Sequence, residues 1–498
     1  MAVSFLFVLI LCGGISIKAQ IDPNQWPNRS GIVQLFEWKW SDIAIECEQF
    51  LAAKGYGGVQ ISPPAENAII MEPFRPWWER YQPISYYLNS RSGTEAEFVQ
   101  MVGRCNMAGV RIYADVQLNH MTDVANYGGT GGSTADSGNL SYPAVPYNSS
   151  DFNGNCAITD NSNPIERRTC RLEGCPDLNQ RSEWVRDRIV NFLNKLITYG
   201  VAGFNIDAAK YMWAEDLQII YSRLSNLTEE HGFEPGARPF IMQSVADMGE
   251  DGISKYEYRP YGMVSEVGHS HELGYYFSGQ KRLSDLKNWG RSWSFLSSER
   301  AIVFVGDHLN QRGLGSRKGH VLTFRNRKHY TMATAFMLAF PYATPRVMSS
   351  YDFGNVDQGP PADTFGNIIS PSIGEDGTCQ NGWICEHRWN AVANMIGFRN
   401  AAIGTGLDNW FDNGAYQIGF CRGDRGFIVF NLEGWDLNQR LQTCLPTGKY
   451  CDVISGTVDG GVCTGTVVDV DSDGITNVYL SAYDGNGVLA IHVNAKIE

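Results

Sequence analysis

A (β/α)8, or TIM, barrel followed by an antiparallel β-sandwich is the α/β fold that this sequence predicts. Three observations predict it. Short β-branched and aromatic runs alternate with helical stretches over the first 400 or so residues. Eight such runs can be counted. Beyond about Asn400 the alternation gives way to short strands broken by Gly and Asp turns. Alternating strands and helices imply crossover connections and a parallel sheet, and eight strands are the natural closure of such a sheet.

The first run, 32–36, precedes a helical stretch at 41–54 with Ser41 as its expected N-cap. A strand at 58–61, a helix at 95–108 and a strand at 110–115 follow. Further strands are expected at 203–207, 240–245, 262–267, 301–305 and 344–348. Between His120 and Asp177 a Gly/Ser/Asn-rich stretch is too long for an ordinary βα loop, so a subdomain should protrude after the third strand. Runs such as 426–430 and 490–493 read as sandwich strands. The expected organisation is a leader at 1–19, a barrel at 20–118 and 179–400, a protruding subdomain at 119–178 and a sandwich at 401–498.

The chain has 498 residues, 43% of them hydrophobic, enough for a large core and more than one domain. Its net charge of -13 argues against nucleic acid or an anionic membrane surface as a partner. The apolar run 5–12 is too short to cross a bilayer and leads to small and polar residues ending at Ala19. That pattern predicts a signal peptide cut before Gln20, hence secretion. Secretion makes disulfides the default. With Cys12 removed, sequence order favours Cys47–Cys105, Cys156–Cys170, Cys379–Cys385, Cys421–Cys444 and Cys451–Cys463. Cys175 is left over, either free or available to a covalent partner. Asn28, Asn139, Asn148 and Asn226 are glycan acceptors by motif.

The segments GFNIDAAK (203–210), DVQLNH (115–120), FVGDHLNQR (304–312), PWWERYQP (76–83), RVMSSY (346–351) and CEHRW (385–389) resemble the signature segments of animal α-amylases, of glycoside hydrolase family thirteen. The resemblance spans nearly the whole mature chain. It implies a retaining endo-glucanase site, a structural calcium ion and, in animals, a chloride ion. A retaining glycosidase needs a nucleophilic carboxylate and a carboxyl acid/base about 5 Å apart. The resemblance puts Asp207 at the nucleophile position, ending strand four, where barrel enzymes keep their chemistry.

The acid/base position, ending strand five, holds Ser244, and the transition-state-stabilising aspartate, ending strand seven, is replaced by Leu309. A serine has no proton to give near neutral pH. Asp247, Glu250 and Asp307 lie near in sequence, but alternation along a strand turns neighbouring side chains to opposite faces. Of the chloride ligands, Arg346 remains, Asn205 stands for an arginine and Asp307 for an asparagine, so chloride binding is not expected.

The binding machinery looks better kept. Trp77, Trp78 and Tyr81 match an aromatic platform, whose flat faces suit glucose rings. Gln82, Lys210, His120 and His308 match sugar-binding positions, whereas Leu314 replaces a sugar-contacting His in the Gly-rich loop 313–319. Asn119 and Asp177 match side-chain ligands of calcium, and Arg168 and Tyr211 match positions that give backbone carbonyls. The pattern predicts a secreted, calcium-stabilised α-amylase homologue that has lost hydrolysis and retains α-glucan binding. An interaction protein using the scaffold as a surface and an active α-amylase with unorthodox chemistry are the alternatives.

Overall fold

The computed structural model describes residues 20–124, 126–249, 252–314 and 320–497. Residues 1–19, where a leader is expected, with Cys12, Glu250 and most of the Gly-rich loop (315–319) lie outside these. Eight strands close a barrel in sequence order, with every neighbouring pair parallel: β1 Ser30–Leu35, β2 Tyr56–Ile61, β3 Arg111–Gln117, β4 Gly203–Asp207, β5 Phe240–Gln243, β6 Met263–Ser265, β7 Ala301–Val303 and β8 Thr344–Ser349. β2 and β3 are buried at every position, as expected of strands covered on both faces. Gly203 has a steric reason: a Cβ there would lie 2.2 Å from the Phe240 carbonyl oxygen on the neighbouring strand.

Three strands end two residues early: β5 stops at Gln243, β6 at Ser265 and β7 at Val303, where the chain turns into loops. Leu309 therefore lies six residues beyond β7, at the N-cap of a 3-10 turn, and does not end a strand. The first helix starts at Trp40 with Lys39 at the N-cap and no side-chain cap, so Ser41 does not play that part. The helix Glu95–Met107 has the capping box its sequence offers: Thr94 accepts from the Glu97 N–H, and Glu97 accepts from the Thr94 N–H at 2.8 Å. It buries Phe98, Met101, Val102 and Cys105, a three-to-four spacing that lays one face on the barrel.

The tail is antiparallel. β9 Asp408–Asp412, β10 Gln417–Arg422 and β11 Gly426–Asn431 form a sheet completed by β18 Val488–His492. Three ribbons complete the domain: β12 Leu437–Gln442 with β17 Ile475–Leu480, β13 Gly448–Cys451 with β16 Val467–Val470, and β14 Val458–Asp459 with β15 Val462–Cys463. β11 is buried throughout because its two faces serve different cores. Phe427 and Val429 meet Leu437, Tyr450 and Val478 of the ribbons, whereas Ile428 and Phe430 join the core shared with the barrel.

All five disulfides expected from sequence order are formed. The four glycan-acceptor asparagines are exposed. Cys175 overturns one expectation. It is 3% exposed, accepts a hydrogen bond from Gln82 Nε2 at 3.1 Å, and burial pushes its thiol up to about 12. A protonated, covered sulfur is not a handle for a covalent partner.

Candidate active site

The C-terminal ends of β3, β4 and β5 converge on Asp207. Register sets Gln117 beside Asp207 and Asp115 beside Asn205, so side chains two apart on each strand share the inward face. The Ser244 N–H bonds the Ile206 carbonyl at 3.1 Å, extending the β4–β5 ladder by one residue and placing Ser244 next to Asp207. After Asp207 the backbone turns sharply, with Ala208 at φ 51°. A left-handed alanine costs about 1–2 kcal/mol and persists only where its surroundings dictate it, as at functional sites.

Around Asp207, Asn205 and Ser244 join a connected polar network. Asn205 Nδ2 donates to Asp115 Oδ1 at 2.7 Å, and Ser244 Oγ donates to Asn205 Oδ1 at 3.3 Å. Tyr81 donates its hydroxyl to the other Asp115 oxygen at 3.0 Å. Nearby carboxylates are occupied. Asp247 accepts from the N–H groups of Gly249 and Lys255, both at 2.8 Å. Asp307 accepts from the N–H groups of Leu309 and Asn310 at 2.9 and 2.7 Å. Leu309 itself packs against the core.

Burial raises the pKa of Asp115 and of Asp207, and the charge of Asp115 raises Asp207 further. A carboxyl whose folded pKa lies above its unfolded value binds more protons folded than unfolded, so stability falls as pH rises above the ordinary carboxylate range. Asp207→Asn is therefore expected to unfold at higher urea than the wild type at pH 8, with the difference shrinking towards pH 4. Equal midpoint shifts at both pH values would contradict this.

Arg346 is buried and matched from within the protein. It donates to Gln60 Oε1 at 2.9 Å and lies 3.7 Å from the Asp307 carboxylate. The protein's own carboxylate thus sits beside the guanidinium where the family resemblance would put an anion.

The aromatic residues divide. The turn Trp77–Tyr81 is pinned from below by buried ion pairs, Arg80 with Glu37 at 3.0 Å and Glu79 with Arg75 at 2.8 Å. Trp77 is 5% exposed and donates to the Val356 carbonyl, so it packs as core, whereas Trp78 is only partly buried and donates to Asp357 at 3.1 Å. The buried His308 stacks on Tyr81, with Nδ1 3.1 Å from Gln34 Nε2.

His120 departs from its expected role. Its Nε2 reaches the Tyr81 carbonyl at 2.9 Å and its Nδ1 the Asn119 amide nitrogen at 3.3 Å, so both ring nitrogens face protein partners. Gln82 is likewise engaged, with Cys175 and the Asp123 N–H, and Lys210 donates to the Ala246 carbonyl.

That histidine serves the candidate metal site. A carbonyl acceptor fixes the proton on Nε2, leaving Nδ1 to accept from Asn119 Nδ2. Asn119 Oδ1 then points away, and both it and Asp177 Oδ1 are buried with no hydrogen-bond partner. Asp177 receives one bond, from Asn153 at 2.7 Å, and burial pushes it up to about 8. Two bare oxygens at the bridge His120–Asp177, where the long β3 excursion returns, suit a hard oxygen-seeking cation such as Ca²⁺. The side chains of Arg168 and Tyr211 are engaged elsewhere: Arg168 donates to Glu257 and Tyr258 at 2.7 and 2.9 Å, and the Tyr211 hydroxyl accepts from Arg167 at 2.9 Å. Among the described residues no cluster of three His, Cys, Asp or Glu could hold a metal, so the amide and backbone oxygens are essential to such a site.

Asp115, Gln117, Gln60 and Gln34 were not predicted as site residues. Their parity on β1, β2 and β3 relative to Asp207 and Arg346 was the signal that could have found them.

A closed parallel barrel with an aspartate at the end of β4, an aromatic turn beyond β2 and an all-β tail defines the class: a glycoside-hydrolase-type barrel protein. The chain belongs to the α-amylase family. "Alpha amylase, catalytic domain" matches residues 79–287 and "Alpha amylase, C-terminal all-beta domain" matches 408–494. The alpha-amylase of Tribolium castaneum is 52% identical over 98% of this chain and 99% of its own. The alpha-amylase-related protein of Drosophila lini is 52% identical over 99% of this chain and all of its own. Alpha-amylase I of Eisenia fetida, solved as a mutant with maltohexaose, superposes with a TM-score of 0.90 at 43% identity, covering 94% of this chain and 98% of that one.

Proposed function

We propose that this chain is a secreted α-amylase homologue that binds α-1,4-glucans without hydrolysing them and is tied together by a structural calcium ion. The observation that carries the proposal is the network at the barrel's mouth. Of the three positions at which the family's chemistry needs carboxyl groups, Asp207 alone carries one; Ser244 is bonded to Asn205, and Leu309 is packed on the core. Attack by Asp207 on an anomeric carbon requires a proton for the departing oxygen. Ser244 cannot supply it.

What remains suits binding. The partly buried Trp78 ring would offer an apolar surface to one side of a glucose ring, and the buried His308 stacks on Tyr81. The Eisenia fetida relative, crystallised with maltohexaose, is a precedent for a linear α-glucan on this scaffold. Asn119 and Asp177 would hold the calcium ion through their bare oxygens, with Arg168 and Tyr211 adding carbonyls. Five disulfides fit an extracellular protein, and among the described residues no helix is long and apolar enough to cross a membrane.

The second reading, an active α-amylase, is favoured by 52% identity to a protein of that name. Retention on a β-cyclodextrin or starch column tests the binding half. The wild type is expected to be retained, and Trp78→Ala to bind at least about tenfold more weakly through loss of the ring face. Passage of the wild type in the void volume would refute glucan binding.

A further inference from the structure

The β12–β17 ribbon of the tail ends in a group of aromatic side chains that the cleft does not use. Trp435 is 60% exposed, Tyr479 62% and Tyr483 93%. Register places Leu437 opposite Leu480 and Asn438 opposite Tyr479, so the three rings gather at one end of the ribbon. Asp436 organises them. It accepts from the Tyr479 hydroxyl at 2.8 Å, the Ala482 N–H at 2.9 Å and the Ser481 hydroxyl at 3.2 Å. The Trp435 carbonyl is tied to Asn431 Nδ2 at 3.0 Å, and the same amide holds the Leu480 carbonyl at 2.9 Å. The rings are thus carried on fixed backbone and spread apart.

We propose that this end of the tail domain is a second carbohydrate site, taking a neutral α-glucan chain on Trp435, Tyr479 and Tyr483, separate from the cleft at Asp207. The occupant follows from the surroundings. A protein interface needs a contiguous apolar centre. Here the rings make no ring-to-ring contact among the described residues, and the adjoining Asn438, Gln439, Arg440 and Asn477 are exposed and polar. Separate flat rings flanked by amides and hydroxyls match the alternation of apolar ring faces and hydroxyl edges along a sugar chain. An anion is disfavoured by the chain's charge of -13 and by Asp436. Asp436 has donors on both oxygens, so it is no ready-made cation ligand. The site deepens the glucan-binding reading and rests on it for the ligand class.

The test is native electrophoresis of the full chain through gels containing glycogen, comparing wild type, Trp435→Ala/Tyr483→Ala, Trp78→Ala and the triple variant. These are exposed or half-exposed side chains, and unchanged mobility without glycogen together with an unchanged circular dichroism spectrum checks folding. The tail variant is expected to lose about tenfold in apparent affinity for glycogen, with Trp78→Ala retaining the tail's share of binding. Binding unchanged in the tail variant and lost in Trp78→Ala overturns the second site while leaving glucan binding by the cleft intact. No retardation of the wild type overturns both.

Discussion

Soluble starch incubated with the recombinant protein is expected to release reducing ends no faster than buffer. General acid/base help is worth roughly 10²–10⁴-fold, and the position that would give it carries Ser244. Loss of the stabilising carboxylate at Leu309 removes a further electrostatic contribution, and such contributions are usually the largest in an enzyme. Asp207 also sits where burial and the Asp115 charge favour its protonated, non-nucleophilic form. An arginine at Asn205 would reverse that bias by holding the carboxylate ionised. The triple change Asn205→Arg, Ser244→Glu and Leu309→Asp is therefore expected to raise starch turnover above background, because the backbone of β4 and β5 still sets positions 207 and 244 side by side. Turnover by the wild type that Asp207→Asn abolishes would sink the non-hydrolytic reading. Recovery in a variant that lacks Ser244→Glu would show that another group supplies the proton.

Calcium removal should have the second-largest effect, on stability. Two buried oxygens without donors, one on a carboxyl that burial alone pushes up to about 8, are costly without a cation. Saturating calcium at about 1,000 times its Kd would add roughly 4 kcal/mol. Scanning calorimetry in EGTA is expected to show a Tm several degrees lower, restored by calcium and not by magnesium, which resists the irregular mixed-carbonyl shell. Asp177→Asn should abolish most of the calcium response. The response should also fade as pH falls, since protons compete for the Asp177 oxygen. A Tm indifferent to EGTA and calcium would exclude the structural ion.

Much of the fold was legible from the chain because closure of a barrel depends on local patterns. Alternating strand and helix runs are decisions made over a few residues. The disulfide pairs followed the order of the cysteines along the chain. The ends of β5, β6 and β7 were not legible, since strand termination depends on where neighbouring strands stop offering partners. The candidate site was named from motif positions, as Asp207, Ser244, Leu309, Asn119 and Asp177. Their partners were not. Nothing local says that Trp77 turns inward while its neighbour Trp78 is only partly buried, that Cys175 is sealed by Gln82, or that His120 spends its ring orienting Asn119.

The position of Ser244 separates the two kinds of information. Its identity, and with it the lack of an acidic side chain at that position, was decided by sequence alone, because no fold gives a serine an acidic proton near neutral pH. The tertiary structure decided what takes the missing carboxyl group's place. Barrel closure brings Asp115 of β3, Asn205 of β4 and Ser244, just past β5, into one hydrogen-bonded chain, and it sets Asp307 against Arg346. Those contacts span dozens of residues or more, and only closure of the barrel brings them within bonding distance.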